Sequence, residues 1–193
     1  MTLPAALLDK LASVAVREGL ADAVFTHLDT PIGTLLVVQG EQGVLRIGFP
    51  SQADDALLAE IAQRVGPRIV ASDRELAATR DALSHYFEGD DESLDVPVDL
   101  RLVPSAFRRA ALDTLRTEVG PGDVVTYGTL AARVGRPNAA RAVGTACALN
   151  PVPLIVPCHR VVPRGGGVGS YAGGPEVKRR LLAHEGRLSA RRP

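Results

Sequence analysis

The segment Asn150-Pro151-Val152-Pro153-Leu154-Ile155-Val156-Pro157-Cys158-His159-Arg160-Val161 is the most informative in the chain. Its three prolines fix φ and remove backbone donors, so the stretch cannot be helical and is expected to run extended. Val152, Leu154, Ile155 and Val156 place that stiff segment in or beside the core. Cys158 stands at its end, next to His159 and Arg160. Thiolate is the reactive form of cysteine, and basic or cationic neighbours favour it. A rigidly held cysteine beside an imidazole therefore reads as an activated nucleophile. The plainer alternative is a small buried hydrophobe, which free cysteines commonly are. Adjacent side chains of an extended chain point to opposite faces, so His159 is expected to reach the sulfur indirectly, through a water. An imidazole acting as base needs a third group to orient it, and Glu185 is the candidate.

Upstream, the pattern is helical. A helix is expected from Ser105 to Val119 with Phe107, Ala111, Leu115 and Val119 on its apolar face, ended by Gly120-Pro121-Gly122. A short helix follows over Thr129–Val134 and breaks at Gly135-Arg136-Pro137; a third runs from Asn138 to Leu149. Two helices across a short Gly/Pro turn form a helix-turn-helix pattern, a weak signal by itself. The third helix carries almost only small side chains, Ala139, Ala140, Ala142, Gly144, Ala146 and Ala148 among them, with Arg141 as the one long group. Such a surface lets a backbone approach closely, either to another helix or to a narrow DNA groove that only Arg141 could enter deeply.

The first hundred residues read differently. An amphipathic helix is expected near the N-terminus, with Leu7, Leu8, Leu11, Val14 and Ala15 on one side. Ala23 to Pro50 reads as a β-meander punctuated by Thr30-Pro31-Ile32-Gly33 and Gly40-Glu41-Gln42-Gly43. Two helices are expected next, over 53–65 and from an Asp73 N-cap to Phe87, with Leu76, Leu83 and Phe87 inward. The acidic, turn-rich 89–97 stretch suits a connection. The expected organisation is an N-terminal helical extension over 1–22, an α+β domain over 23–100 and a mostly helical domain over 101–193.

Length suits one large domain or two small ones. The chain has 193 residues, 46% of them hydrophobic, enough to build a core. No run approaches the length of a membrane span, and the N-terminus lacks signal-peptide features, so a cytoplasmic address is expected. The net charge of zero hides a division: residues 1–100 carry 17 acidic and 7 basic residues, net −10, and residues 101–193 carry 5 and 15, net +10. That asymmetry points to a polyanionic partner for the C-terminal half, with DNA the usual one. Two cysteines, Cys147 and Cys158, make no disulfide framework, and no Cys/His spacing suggests zinc.

Pro157-Cys158-His159-Arg160-Val161 is similar to the active-site signature of the O6-alkylguanine-DNA alkyltransferases, the methylated-DNA–protein-cysteine methyltransferases. Arg141-Ala142-Val143-Gly144, Asn150-Pro151, Tyr127-Gly128, Val168-Gly169-Ser170-Tyr171-Ala172-Gly173-Gly174, and Lys178 through Gly186 resemble the family's other segments in order and spacing. Thr30-Pro31-Ile32-Gly33 and His85-Tyr86-Phe87-Glu88-Gly89 resemble its variable first domain, so the likeness spans about residues 24–187.

The resemblance implies an α/β two-domain protein whose C-terminal half is a winged helix-turn-helix-like DNA-binding and active-site domain. It implies that Cys158 accepts an alkyl group from guanine O6 in double-stranded DNA, with O4-alkylthymine as a secondary substrate. The transfer happens once per molecule and uses neither cofactor nor metal. His159 would act through a water and be oriented by Glu185; Asn150 would shape the site. The flipped guanine would be walled by Tyr171, Ser170 and Gly173, with backbone groups near Val161 and Ala172 reading its edges. Arg141 would fill the vacated place in the duplex, and Tyr127 would crowd the neighbouring phosphate and hydrogen-bond the base. Ala139, Ala140, Gly144, Arg136 and Arg160 complete the expected DNA-facing set. A monomer with no membrane partner is expected.

Departures are present. Phe107-Arg108-Arg109-Ala110-Ala111-Leu112 stands where the family commonly has Phe-Gln-x-x-Val-Trp, and Ala172 replaces a common Ser. The zinc-binding cysteines of some relatives have no counterpart in residues 1–100. Three rival readings remain. A lesion-binding protein without transfer is opposed by Cys158. A cysteine hydrolase would leave Arg141 and Tyr127 unexplained, and a regulator would require an extra metal-binding module.

Overall fold

The computed structural model describes residues 5–90 and 94–189, with the side chains of 5, 6, 8 and 187–189 set aside. The expected meander forms as strands β1 (Ala23–Leu28), β2 (Leu35–Gly40) and β3 (Gly43–Gly48), antiparallel in sequence order. Gly43 is required where β2 turns into β3. Its φ is +137°, and a Cβ there would lie 2.4 Å from the Pro97 carbonyl oxygen. That close approach fastens the interdomain connection to the sheet, through Val44 N–H to Pro97 O and Asp99 N–H to Val44 O, both 2.9 Å.

The sheet is larger than the sequence reading expected. Strand β4 (Ile69–Ala71) pairs parallel with β1, giving the order β3-β2-β1-β4. Three residues between two helices carry no period, so this strand exists through its partner rather than through its own pattern. Helix α1 (Ala5–Arg17) packs near β4 by its small and polar edge: Ala12 is buried, Ser13 donates to Glu75 at 2.5 Å, and Asp9 accepts from Ser72 at 3.2 Å. Its expected apolar side, Leu7, Leu11 and Val14, is exposed, and the Leu8 side chain lies outside those described.

Helix α2 (Asp54–Arg64) matches its expected span. Helix α3 (Ala77–Glu88) starts four residues after the expected Asp73 cap. Asp73 is taken elsewhere: it accepts from Thr26 Oγ1 at 2.5 Å and pairs with Arg80 at 2.6 Å, which leaves Leu76 at the N-cap. Leu76 and Leu83 are buried as expected, and Tyr86 is buried completely beside the partly buried Phe87.

In the basic half, Ser105 caps α4 (Ala106–Glu118) by accepting from Arg108 N–H. Ala111, Leu112, Leu115 and Val119 are buried, so Leu112 packs as core. Strand β5 (Val125–Thr126) leads into α5 (Tyr127–Arg133), which begins two residues early because Thr126 caps it, its hydroxyl accepting from Thr129 N–H at 3.1 Å. Helix α6 (Ala140–Ala148) follows the turn at 135–139. Strand β6 (Val161–Val162) pairs parallel with β5, and α7 (Gly174–Ser189) closes the domain.

One apolar cluster joins the two halves, from Val24, Leu35 and Phe49 through Tyr86 to Leu115, Val143, Val156 and Leu181. The basic domain is therefore built against the acidic one. Among the described residues no helix is long and apolar enough to cross a membrane.

Candidate active site

The proline segment is buried, as its apolar content requires, but it does not run extended throughout. It doubles back at Leu154, whose φ of +76° is the one positive value outside glycine among the described residues. Val156 N–H donates to Val152 O at 2.9 Å across that bend. Asn150 sits inside it: Oδ1 accepts from Val152 N–H at 3.0 Å, and Nδ2 donates to Val156 O at 2.8 Å and to Cys158 Sγ at 3.1 Å. One side chain thus sets the loop and touches the sulfur.

Cys158, His159 and Arg160 form a single tight 3₁₀ turn rather than an extended run. Cys158 is 3% exposed. Burial pushes its thiol up to about 11, against the opposing influence of the Asn150 hydrogen bond and the Lys178 charge. The resting group is a thiol, and a base must take its proton before or during reaction. His159 is fully buried. Its Nε2 lies 2.7 Å from Glu185 Oε1, and its Nδ1 has no partner among the protein atoms. With Nε2–H donated to the carboxylate, Nδ1 carries the free lone pair. Burial pulls the imidazole below its ordinary value despite the attraction of Glu185, so it stands neutral and able to accept a proton.

Glu185 is the hub. Arg160 Nε donates to its Oε2 at 3.0 Å and Nη2 to its Oε1 at 2.9 Å, while Nη1 donates to Val119 O at 2.5 Å. The Tyr86 hydroxyl donates to Oε1 at 2.8 Å. Burial works to raise this carboxyl, but the pull of His159 and Arg160 outweighs it and holds the group well below the usual carboxylate range.

This geometry corrects one expectation. Arg160, grouped above with the DNA-facing residues, is interior and fully engaged with Glu185 and Val119. Its neighbour in charge, Lys178, is likewise buried and donates to Val161 O at 2.7 Å. A sequence shows the charge of such residues and not their burial.

Tyr171 packs edge-on against Phe49, with centroids 5.4 Å apart, and against His159 at 6.2 Å. Its hydroxyl is buried with no protein partner. Ser170 and Ala172 are exposed, and Gly173 lies so near Phe49 that a Cβ would meet the ring at 3.0 Å. Val161 is buried in β6 with its N–H bonded to Cys158 O and its carbonyl to Lys178, so the protein already engages both groups. Tyr127 is half-buried at the start of α5, its hydroxyl 3.4 Å from where a Gly169 Cβ would stand and its ring 4.0 Å from a Gly144 Cβ. It therefore bridges the glycine loop and α6.

Arg141 and Arg136 are exposed, with Ala139, Ala140 and Gly144 half-buried around them. Among the described residues the Arg141 guanidinium has no ion-pair or hydrogen-bond partner. The small-residue face of α6 with one free arginine is thus at the surface. Tyr86, Lys178 and Phe49 were not named as site residues; Tyr86 fell only within the His85-Tyr86-Phe87 likeness, Lys178 only within the Lys178 to Gly186 likeness, and Phe49 within neither. Among the described residues no three His, Cys, Asp or Glu side chains converge as a metal site.

Comparison with known proteins follows the same division. The profile described as 6-O-methylguanine DNA methyltransferase, DNA binding domain matches residues 106–187, and that described as its ribonuclease-like domain matches residues 23–100. A methylated-DNA–protein-cysteine methyltransferase of Homo sapiens is 40% identical over 166 residues, covering 83% of this chain and 79% of that protein. One of Salmonella typhimurium is 40% identical over 161 residues, covering 82% and 93%. The crystal structure of Mycobacterium tuberculosis O6-methylguanine methyltransferase superposes with a TM-score of 0.73 at 30% identity, covering 89% of this chain and 95% of that one. A structure of the M. tuberculosis protein in complex with DNA gives 0.73 at 31% identity, covering 86% and 94%.

Proposed function

The chain belongs to the 6-O-methylguanine DNA methyltransferase family, and from that premise we propose that it repairs DNA directly, moving the O6-methyl group of guanine onto its own Cys158. The observation that carries the assignment to this residue is the buried Cys158 sulfur, held by Asn150 at the head of the turn that also presents His159 to Glu185.

The chemistry balances on these groups. As Cys158 Sγ bonds to the methyl carbon, the bond from that carbon to guanine O6 breaks and the oxygen keeps the electron pair. The thiol proton passes toward the Nδ1 lone pair of His159, whose tautomer Glu185 fixes through Nε2. Ionised Glu185, anchored by Arg160, stabilises the imidazolium that forms. Tyr127 donates a hydrogen bond to the departing base, which takes up the proton that the thiol released, passed on from His159 through solvent, and leaves as neutral guanine. The thioether is not reversed, so each molecule acts once.

A sulfur this deeply buried cannot reach O6 inside a stacked duplex, and the base must leave the stack. Unstacking costs a few kcal/mol by general estimate. Arg141, exposed and unpaired on the small-residue face of α6, enters from the minor groove and fills the gap. Tyr171, Ser170 and Gly173 wall the base, and Arg136 meets a phosphate. Two free thiols in the fold, Cys147 and Cys158, suit the reducing cytoplasm.

The test is a stoichiometry. Incubated with duplex containing O6-methylguanine, the protein should restore one guanine per molecule and then stop. Binding of that duplex with no guanine restored would replace transfer with lesion binding.

A further inference from the structure

We propose that Tyr86 is a positioning residue for the transfer, through which the acidic N-terminal domain completes the hydrogen-bond set on the carboxylate that orients His159. The inference rests on the transfer reading above and concerns a residue outside the basic domain.

The Tyr86 side chain comes from α3 and is 0% exposed. Its hydroxyl donates at 2.8 Å to Glu185 Oε1, the same oxygen that receives His159 Nε2 at 2.7 Å and Arg160 Nη2 at 2.9 Å. A carboxylate oxygen offers two in-plane lone pairs, so three donors share two sites and each weakens the hold of the others. The ring cannot swing away. It packs edge-on to Phe87 at 5.1 Å and to His184 at 5.2 Å, and His184 Nε2 lies 2.8 Å from the Tyr86 carbonyl oxygen. Helix α7 therefore grips Tyr86 by backbone and hydroxyl at once, through consecutive residues His184 and Glu185.

A buried tyrosine needs some acceptor, and a backbone carbonyl would serve one that only filled space. Here the acceptor is the one carboxylate bonded to the catalytic imidazole. The charges facing His159 are Glu185 and Lys178 from α7 and Arg160 from its own turn, with the Cys158 thiol beside it and the Tyr171 ring across from it. Glu185 favours the imidazolium, while Arg160 and Lys178 oppose it. The Tyr86 hydroxyl draws off part of the Glu185 charge, so it helps keep His159 neutral and ready to accept a proton. Removing it returns that charge to His159 and makes the imidazole easier to protonate.

The experiment is single-turnover methyl transfer from O6-methylguanine duplex by wild type and Tyr86→Phe, from about pH 5.5 to about pH 9. The phenylalanine keeps the ring packing and loses only the hydroxyl. The expected result is transfer about threefold slower on the acid limb, where a half-unit rise in the basicity of the imidazole leaves about a third as much of the neutral form. The acid limb of the profile should move up by about half a pH unit, and the His159 ring resonances should titrate higher by the same amount. Wild-type rates in Tyr86→Phe, or slower transfer with neither the limb nor the resonances moved, would overturn the inference. A wild type that transfers no methyl overturns the functional reading and this inference with it; wild-type transfer with an indifferent Tyr86→Phe overturns this inference alone.

Discussion

Glu185→Gln changes one oxygen to an amide and tests how far the interior depends on that charge. The carboxylate receives four donors: the Tyr86 hydroxyl, His159 Nε2, and Nε and Nη2 of Arg160. In the glutamine the remaining oxygen can still face Tyr86 and His159, but its NH₂ must face Arg160 Nε, donor against donor. Arg160 is 5% exposed, so its cation is left in the interior with Val119 O as its other partner. Breaking a buried pair from one side costs about 3–5 kcal/mol. In a chain of this size that is a fall in Tm of roughly 6–20 °C. Urea unfolding at pH 7 should show the midpoint falling by that energy with the m-value unchanged. The pH dependence carries a second sign. The Glu185 carboxyl sits below its ordinary 4.5 in the folded protein, so its stabilisation is complete above that pH and is lost as pH falls through the lower folded value. The gap between wild type and Glu185→Gln should therefore narrow below about pH 4.5. A loss under about 1 kcal/mol at pH 7, or a gap that widens in acid, would refute the reasoning.

Asn150→Ala should strand the buried Val152 N–H, while the Val156 carbonyl keeps its bond from Cys158 N–H, costing about 1–3 kcal/mol in urea unfolding. It also removes the bond that draws the Cys158 thiol down, so transfer by the folded fraction should slow; equal rates would show that Asn150 only shapes the loop. Phe49→Ala should cost about 3–5 kcal/mol, since the ring is 2% exposed, and it frees Tyr171 from its edge contact. Its transfer from duplex should weaken more than its binding of undamaged DNA, measured by fluorescence anisotropy. Arg141→Ala should leave unfolding within about 0.5 kcal/mol of wild type, because the side chain is exposed and unpaired. It should reduce transfer from duplex far more than transfer from the free alkylated base; equal losses on both would remove the gap-filling role.

The helical half was legible because its punctuation is chemical. Ser105 caps α4, Gly120-Pro121-Gly122 follows directly on its end, and Gly135-Arg136-Pro137 separates α5 from α6. The meander was legible from turns that demand glycine, Gly43 above all. Features made by tertiary pairing left no local mark. Strand β4 is three residues long and exists because β1 offers an edge. Asp73 has the right chemistry for a helix cap, and Thr26 with Arg80 claims it instead. The bend at Leu154 reverses a segment that prolines alone would extend, because Asn150 binds both of its sides.

The site was legible as a set of residue types and less so as an arrangement. Cys158, His159 and Glu185 could be chosen from chemistry, and the structure brings the latter two to 2.7 Å. Arg160 was misplaced because a basic half invites every arginine to face DNA, whereas this one neutralises a buried carboxylate. Tyr86 lies 99 residues before Glu185, and no local pattern announces that contact.

Peptide mass spectrometry after reaction with an O6-methylguanine duplex is the most direct measurement. Two thiols lie in this half of the chain, and burial pushes Cys147 up to about 12, above the approximately 11 of Cys158. One methyl on the peptide carrying Cys158, none on that carrying Cys147, and none in Cys158→Ala is the expected outcome. Methyl on Cys147, or transfer that persists in Cys158→Ala, would contradict the assignment.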